Sequence, residues 1–422
     1  MLHIPRAQAA ENELVIGTSL QGRPITAIRF GDGPRKLVVI GNTHGFPETN
    51  TYVLTTQLIE YFRAYPNEVP SDVRLYFIPT LNPDGLALGT RFNANGVDLN
   101  RNMNTNLDSC AENDWRTTVQ GAYGLIADTG GPYADSEVES RIIRSFLLDA
   151  SGAIFIHSNA GLVFPAFCEH APSIAMAKAY ATGASYEYSR YWPNYLITGG
   201  MHDWAGSLGI ASITPELITG DQSEFEQNLT GLKAVLEQAS TVLPLPEDRE
   251  ENGISIPALI WRYWKANGGT ERFGQPLAPP QADGATTRQV FERAILDLQA
   301  SQADTPYLVQ PASLGRVAAS GLGFPPAVDD GTGRFFPETN HMLRGAFLDA
   351  WERGGGAPVF GLPLSEIVQA TTVDGQRRDV QYFERAVLAL YPEDGSIRPE
   401  PLGWQLTMQE QLTAPTAPFQ LR

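Results

Sequence analysis

The sequence predicts an α/β fold, a central sheet flanked by helices, followed by a smaller α+β repeat domain. Three observations carry this expectation. Short apolar runs alternate with helix-spaced segments between Leu14 and Leu243, a charged Pro-containing stretch interrupts the pattern near residue 245, and the chain beyond it repeats itself. At 422 residues the chain also exceeds the size at which single cores stop growing, so at least two domains are expected.

The strands come first. "LVVIG" (37–41), "VRLYFIP" (73–79), "AIFIH" (153–157) and "IASITPE" (210–216) are continuous runs rich in Val, Ile and Phe, the pattern of strands buried on both faces. Between them, "TYVLTTQLIEYFRAY" (51–65) and "SEVESRIIRSFLLDA" (136–150) have helical spacing, the second opening with Ser136 and Glu139 as a capping box. In open α/β sheets ligands bind beyond the carboxyl ends of strands, and His44, Asn82, His157 and Glu216 fall there on four different runs.

The segment "PLPEDREENG" (244–253) reads as a linker. The expected division is a first domain over 10–244, a linker over 245–256, repeat modules over 257–330 and 331–410, and a tail over 411–422. "WRYWKANGGTERFGQPL" (261–277) matches "FLDAWERGGGAPVFGLPL" (347–364), and "VFERAIL" (290–296) matches "YFERAVL" (382–388). Each copy is expected to have a Trp-bearing helix, a Gly-Gly stop, a Phe-Gly-x-Pro turn and a strand carrying Phe-Glu-Arg. Trp264, Trp351, Phe291 and Phe383 read as core; the sharper alternative is a carbohydrate or cell-wall binding face. The repeats resemble "LGFP"-bearing modules appended to secreted bacterial hydrolases, and residues 322–325 read "LGFP".

Composition limits the function. Hydrophobic residues make up 42% of the chain and charged residues 18%, which describes a folded protein. A net charge of −17 argues against attraction to nucleic acid or anionic membranes, and no run is long and apolar enough to span a bilayer. Cys110 and Cys168 are too few for a disulfide framework; they pair in an oxidising compartment or are two buried thiols. "AQAA" (7–10) resembles the small-residue end of a signal peptide, so an extracellular or cell-surface location is expected although no signal peptide is visible.

Amide hydrolysis at neutral pH needs a strong electrophile and an activated water, which a zinc ion with three protein ligands and an open position supplies. His44 and Glu48 follow one strand and His157 ends another. "NPDG" (82–85) alone is a turn, but Asn100 and Arg101 side by side can clamp a carboxylate through paired hydrogen bonds.

Through "THGFPE", "NPDG", "GVDLNRN", "IHS", "TGGMHDWA" and "TPELITG", in that order, residues 14–243 resemble the carboxypeptidase A-like zinc metallocarboxypeptidases. The resemblance implies a mixed central sheet, one Zn2+ held by His44, Glu48 and His157, and hydrolysis next to a free C-terminal carboxylate. It further implies Glu216 as general base, Arg91 as the arginine facing the oxyanion, Asn100 and Arg101 on the terminal carboxylate, and Tyr195 closing over the substrate. Asp98 would orient His44 from behind. His202 falls where the family selects the side chain of the removed residue; a histidine there suits a polar or acidic group, and the alternative is a histidine merely packed near the aromatic Trp204. The substrate implied is a peptide or amide with a free carboxylate, with cell-wall peptides as one source and a cell-wall or carbohydrate ligand at the repeats. The same zinc triad and "DLNR" stretch also fit an N-acyl amino acid amidohydrolase of the desuccinylase and aspartoacylase type. A non-catalytic cell-wall binding protein is the third reading, opposed by Glu216 and Arg91. His3, His170 and His341 read as loop or surface residues.

The chain departs from the family in one place. The first two ligands normally follow H-x-x-E, but Gly45, Phe46 and Pro47 give H-x-x-x-E here. An added residue displaces a side chain by up to about 3.5 Å in an extended segment. Gly45, with its wide dihedral range, and Pro47, which fixes the turn, are expected to absorb it.

Overall fold

The computed structural model describes residues 12–121 and 124–413. The chain divides into two compact units, one running to Pro246 and including Asp304–Pro306, the other comprising Glu247–Ala303 and the residues from Tyr307 onward.

In the first unit, strands β1 (Asn12–Thr18), β2 (Pro24–Phe30) and β3 (Arg35–Ile40) precede helix α1 (Thr49–Ala64) and strand β4 (Val73–Ile78). Helix α2 (Pro83–Leu88), a hairpin of β5 (Val119–Gln120) and β6 (Ile126–Ala127), and helix α3 (Val138–Phe146) follow. Strands β7 (Gly152–Phe155), β8 (His157–Ser158) and β9 (Leu162–Pro165), helix α4 (Ala171–Ala184) and β10 (Glu187–Tyr188) lead to α5 (Met201–Ser207), β11 (Ala211–Leu217) and α6 (Phe225–Glu237). The sheet runs β1-β2-β4-β3-β7-β11-β9-β10, with β8 also paired to β11. It is mixed: β4, β3, β7 and β11 are mutually parallel, while β1, β2 and the β9 contact with β11 are antiparallel.

Both faces are covered, which is why the central strands have no polar alternation. Leu37 and Val39 of β3 pack with Leu58 and Phe62 of α1, Met176 of α4 and Leu232 of α6 in one core. On the other face Tyr76 of β4 meets Phe146 of α3 edge-on, with ring centroids 5.3 Å apart. The four anticipated strands and both helices are present; β1, β2 and β10 had no clear apolar signal, and the short apolar run of β9, "LVFP", was not singled out.

Several expectations are corrected. Ser136 and Glu139 form no capping box: the N-cap of α3 is Glu137, Ser136 Oγ donates to the Glu137 carboxylate, and Glu139 accepts from the Leu20 N–H instead. "NPDG" opens α2, with Asn82 Oδ1 accepting the Gly85 N–H at 2.8 Å and Pro83 in the first turn, where its missing N–H costs nothing.

The second unit contains two four-stranded antiparallel sheets, over residues 281–311 and 368–399. Within 245–256, Arg249–Glu251 pairs with Ile254–Ile256 as a hairpin. Trp264 Nε1–H donates to Gly274 O at 3.0 Å, and Trp351 Nε1–H donates to Gly361 O at 2.9 Å. The Phe-Glu-Arg triplets lie in hairpin turns rather than strands, closed by Phe291 N–H to Ala294 O and Phe383 N–H to Ala386 O. Trp264, Trp351, Phe291 and Phe383 are all buried, so these rings form core and no exposed binding face. "LGFP" (322–325) lies in irregular chain.

The two sheets exchange their trailing segments. Gly315, which follows the first sheet, packs on the Phe383–Ala386 turn beside the second. Gly403, which follows the second sheet, packs on the Phe291–Ala294 turn of the first. Arg316 N–H donates to Glu384 O and Trp404 N–H to Glu292 O, completing the exchange. A Cβ on either glycine would fall within about 2 Å of a carbonyl oxygen, 1.8 Å at Gly315 and 2.0 Å at Gly403. His341 is corrected too: it lies in the strand His341–Leu343, buried, with Nδ1 turned inward 3.4 Å from Glu366. His170 is half-buried against Ser173, and His3 lies outside the described residues.

Candidate metal centre and its cleft

The loop after β3 delivers two of the three expected ligands. Asn42 adopts a left-handed backbone (φ 46°), and its Nδ2 donates to His44 O at 2.9 Å and Gly45 O at 3.1 Å. Thr51 of α1 donates to Glu48 O at 2.7 Å and accepts the Asn42 N–H, tying both ends of the loop together. Gly45 passes so close to α2 that a Cβ would lie 2.1 Å from Gly85 C, so only glycine fits. Phe46, 54% exposed, is carried outward, and the Phe46–Pro47 peptide is cis. The extra residue therefore bulges to solvent, while Glu48 occupies the N-cap of α1 without capping it, which frees its carboxylate.

That carboxylate meets both histidines. Glu48 Oε1 is 2.6 Å from His44 Nδ1, Glu48 Oε2 is 2.9 Å from His157 Nδ1, and the two Nδ1 atoms are 3.2 Å apart. All three side chains are buried, and their ligand atoms lie within 4.8 Å of one another. Atoms bound at about 2.0–2.1 Å to a tetrahedral zinc stand roughly 3.3 Å apart, so the cluster is the right size, drawn slightly tighter. The donor set also fits. A carboxylate only accepts, so His44 Nε2 donates to Asp98 Oδ1 at 2.9 Å and Nδ1 is left to face the cluster. Two imidazole nitrogens and a carboxylate converging in this way need a proton or a cation among them.

The electrostatics agree. Burial and Arg91 oppose a charge on His44, but Glu48 and Asp98 outweigh them and raise its pKa. Burial also works against the Glu48 carboxylate, yet the two histidines hold it well below the usual range. His157 is lowered by burial to about 4 despite Glu48.

Around this cluster a cleft of about 610 Å³ is lined by Arg91, Asn100, Arg101, Tyr195 and Glu216 as well as the three candidate ligands. Glu216 of β11 stands in register with His157 of β8. It is buried, and burial followed by the Glu48 charge raises its pKa to about 8, against the pull of Arg91 and Arg101. A cation in the cluster acts in the same sense as those arginines.

Arg91 spans two carboxylates, with Nη1 3.0 Å from Glu48 Oε1 and Nε 3.0 Å from Asp98 Oδ2. Asp98 caps a single 3-10 turn, Leu99–Arg101, by accepting the Asn100 N–H at 3.0 Å, which sets Asn100 and Arg101 on the cleft wall. Asn100 Oδ1 accepts the Met201 N–H, and Nδ2 is 3.3 Å from His157 Nε2. Arg101 Nη1 donates to Asn100 O at 2.7 Å, and Nη2 approaches the Tyr195 hydroxyl at 3.4 Å. His202, on α5, lies at a side pocket of about 210 Å³ that shares Trp192, Asn194, Tyr195 and Ile197 with the cleft.

All the anticipated residues thus reach one cleft and its side pocket, and Asp98 accepts from Arg91 and Asn100 as well as from His44. Sequence reasoning missed Gln120, Asn159, Trp192 and Asp203, which also line these spaces. Asp203 had a signal in its place next to His202; Gln120 ends the two-residue strand β5 and Asn159 and Trp192 sit in irregular segments, none of them with a signal. Cys110 and Cys168 form a disulfide, joining two loops 58 residues apart.

Residues 10–240 match the family described as zinc carboxypeptidase. Carboxypeptidase B of Astacus astacus is 26% identical over 164 residues, covering 34% of this chain and 51% of that protein. Murein peptide amidase A of Escherichia coli (strain K12) is 38% identical over 88 residues, 21% of this chain and 34% of that protein. The chain thus spans about half the length of the first of these relatives and about a third of the second. The crystal structure of the murein-tripeptide amidase of Escherichia coli O157 superposes with a TM-score of 0.41 and 22% identity, over 55% of this chain and 96% of that one. With its motif residues gathered at one cleft and more than half its length matched, the chain belongs to the zinc carboxypeptidase family.

Proposed function

We propose that this protein is a zinc metallocarboxypeptidase that binds one ion through His44, Glu48 and His157 and hydrolyses the peptide bond next to a free C-terminal carboxylate. The observation that carries the reading is the convergence of those three side chains in a cleft that Glu216, Arg91 and Arg101 also line. When bound, zinc supplies Lewis acidity toward the scissile carbonyl and the attacking water. Glu216, buried with no hydrogen-bond partner among the described residues, takes the proton from that water and passes it to the leaving amine. Arg91 turns its remaining nitrogen, Nη2, toward the oxyanion. Asn100 and Arg101 hold the terminal carboxylate, Tyr195 covers the substrate, and the pocket at His202 receives the side chain of the departing residue. Asp98 positions His44 and Arg91 together.

Cell-wall peptides are the substrate source we favour, because one relative is named a murein peptide amidase. The Cys110–Cys168 disulfide supports an extracellular or cell-surface site of action, since such bonds persist in oxidising compartments. A net charge of −17 argues against long-range attraction to nucleic acid. No helix among the described residues is long and apolar enough to cross a membrane. A cell-wall ligand at the second unit would be met by groups other than the four buried rings. Turnover of blocked dipeptides should exceed that of N-acyl amino acids on the zinc-loaded protein; the reverse order would favour the amidohydrolase reading.

A further inference from the structure

We infer that Glu137 and Glu139 share one proton and act as positioning residues that hold the loop carrying Arg91 and Asp98, an inference that rests on the carboxypeptidase reading above. Neither side chain lines the cleft. Glu137 is 2% exposed and Glu139 0%, and no Lys or Arg pairs with either carboxylate among the described residues.

The link to the loop is Asn93, which lies between Arg91 and Asp98 in the chain. Asn93 Nδ2 donates to Glu137 Oε2 at 2.7 Å and to Glu139 Oε2 at 3.2 Å. Its Oδ1 accepts the Asn95 and Val97 N–H groups, and its own N–H donates to Val97 O, so this residue closes the loop and ties it to the start of α3. Asn95 Nδ2 adds a second bond to Glu137 Oε2 at 2.9 Å. The Glu137 carboxylate also accepts from Ser136 Oγ, and its N–H donates to Asn102 Oδ1, next to Arg101.

The surrounding charges are engaged elsewhere. Arg23 is bound to Asp84, Arg91 to Glu48 and Asp98, Arg144 to Asp135, and Arg141 to the Asp135 and Ser136 carbonyls. Two buried carboxylates on one amide nitrogen, without a cation, cannot both ionise except at high cost. The donors decide which one keeps the proton. Glu137 accepts three hydrogen bonds from side chains, whereas Glu139 accepts only the long one from Asn93, with the Leu20 N–H beside it. Burial, followed by the Glu137 charge, raises the Glu139 pKa in agreement. With Glu139 neutral, one charge holds the two asparagines; a second charge drives the carboxylates apart and slackens the loop behind Arg91.

Two measurements on the zinc-loaded full chain test this. Infrared difference spectra, unaltered protein against Glu139→Gln, should contain the carbonyl stretch of a protonated carboxylic acid at neutral pH, fading as pH rises. On a blocked dipeptide, kcat/KM should fall on the alkaline side by up to about 100-fold as the loop shifts. Glu139→Gln stays neutral at every pH and can donate to Glu137 as the proton does, so it should match the unaltered protein near neutrality and move that fall to higher pH. A missing carbonyl band, or an alkaline fall that Glu139→Gln leaves in place, overturns this inference alone. No turnover by the unaltered chain overturns the carboxypeptidase reading and the positioning role with it, while the infrared comparison still decides the shared proton.

Discussion

Replacing Asp98 by Asn tests how the metal centre is held together. Asp98 accepts three hydrogen bonds, from His44 Nε2 at 2.9 Å, Arg91 Nε at 3.0 Å and the Asn100 N–H at 3.0 Å. An asparagine keeps only one accepting oxygen. If that oxygen stays with His44 and Asn100, the amide NH2 confronts the Arg91 Nε–H, and a donor faces a donor. If the amide flips, His44 loses the partner that leaves Nδ1 free for the ion. Removing an orienting partner of this kind typically weakens metal binding 10- to 100-fold, about 1.4–2.7 kcal/mol. Competition against a chromophoric chelator on matched preparations reads the change directly, with circular dichroism confirming that the variant is folded. A zinc affinity within about twofold of the unaltered protein would refute the claim that Asp98 acts through His44.

Two further outcomes follow from other parts of the chain. The Cys110–Cys168 bond closes a loop of 58 residues, so replacing both cysteines by serine should cost about 4 kcal/mol in the chain-entropy picture and lower Tm by roughly 8–16 °C; an unchanged Tm would show that the bond constrains nothing. Gly315→Ala places a Cβ 1.8 Å from Phe383 O, and should destabilise the second unit by roughly 1–3 kcal/mol, seen as an earlier denaturant midpoint; a neutral result would mean that the exchanged segment is not held there.

Much of the first unit was legible because its signals are physical and local. The four central strands are buried on both faces and so appear as unbroken apolar runs, and their carboxyl ends mark the cleft. The edge strands were harder to see: "NELVIGT" and "PITAIRF" mix polar and apolar residues, and β10 is only two residues long. Ser136 looked like a cap because the spacing to Glu139 is right, but its hydroxyl is spent on Glu137 and on the Asn102 amide, contacts that only tertiary structure creates. The shape of the His44–Glu48 loop was partly legible. Gly45 and Pro47 announced an unusual turn; the clip that holds it, Asn42 Nδ2 on two carbonyls, is a left-handed asparagine with no sequence signature of its own. The exchange of segments in the second unit was hidden for a different reason. Repeats in sequence show that a unit recurs, and nothing in them says that each copy is completed by a piece of the other.

The central claim is that an enlarged loop still delivers Glu48 to a catalytic zinc. Zinc content and turnover, measured together on the unaltered chain, Glu48→Ala and Glu216→Gln, test it most directly. The account predicts about one zinc per chain in the first and last, little zinc and no activity in Glu48→Ala, and a 10²- to 10⁴-fold loss of kcat in Glu216→Gln with its metal retained, on the order of what general bases contribute. A Glu48→Ala protein that keeps both its zinc and its activity would contradict it.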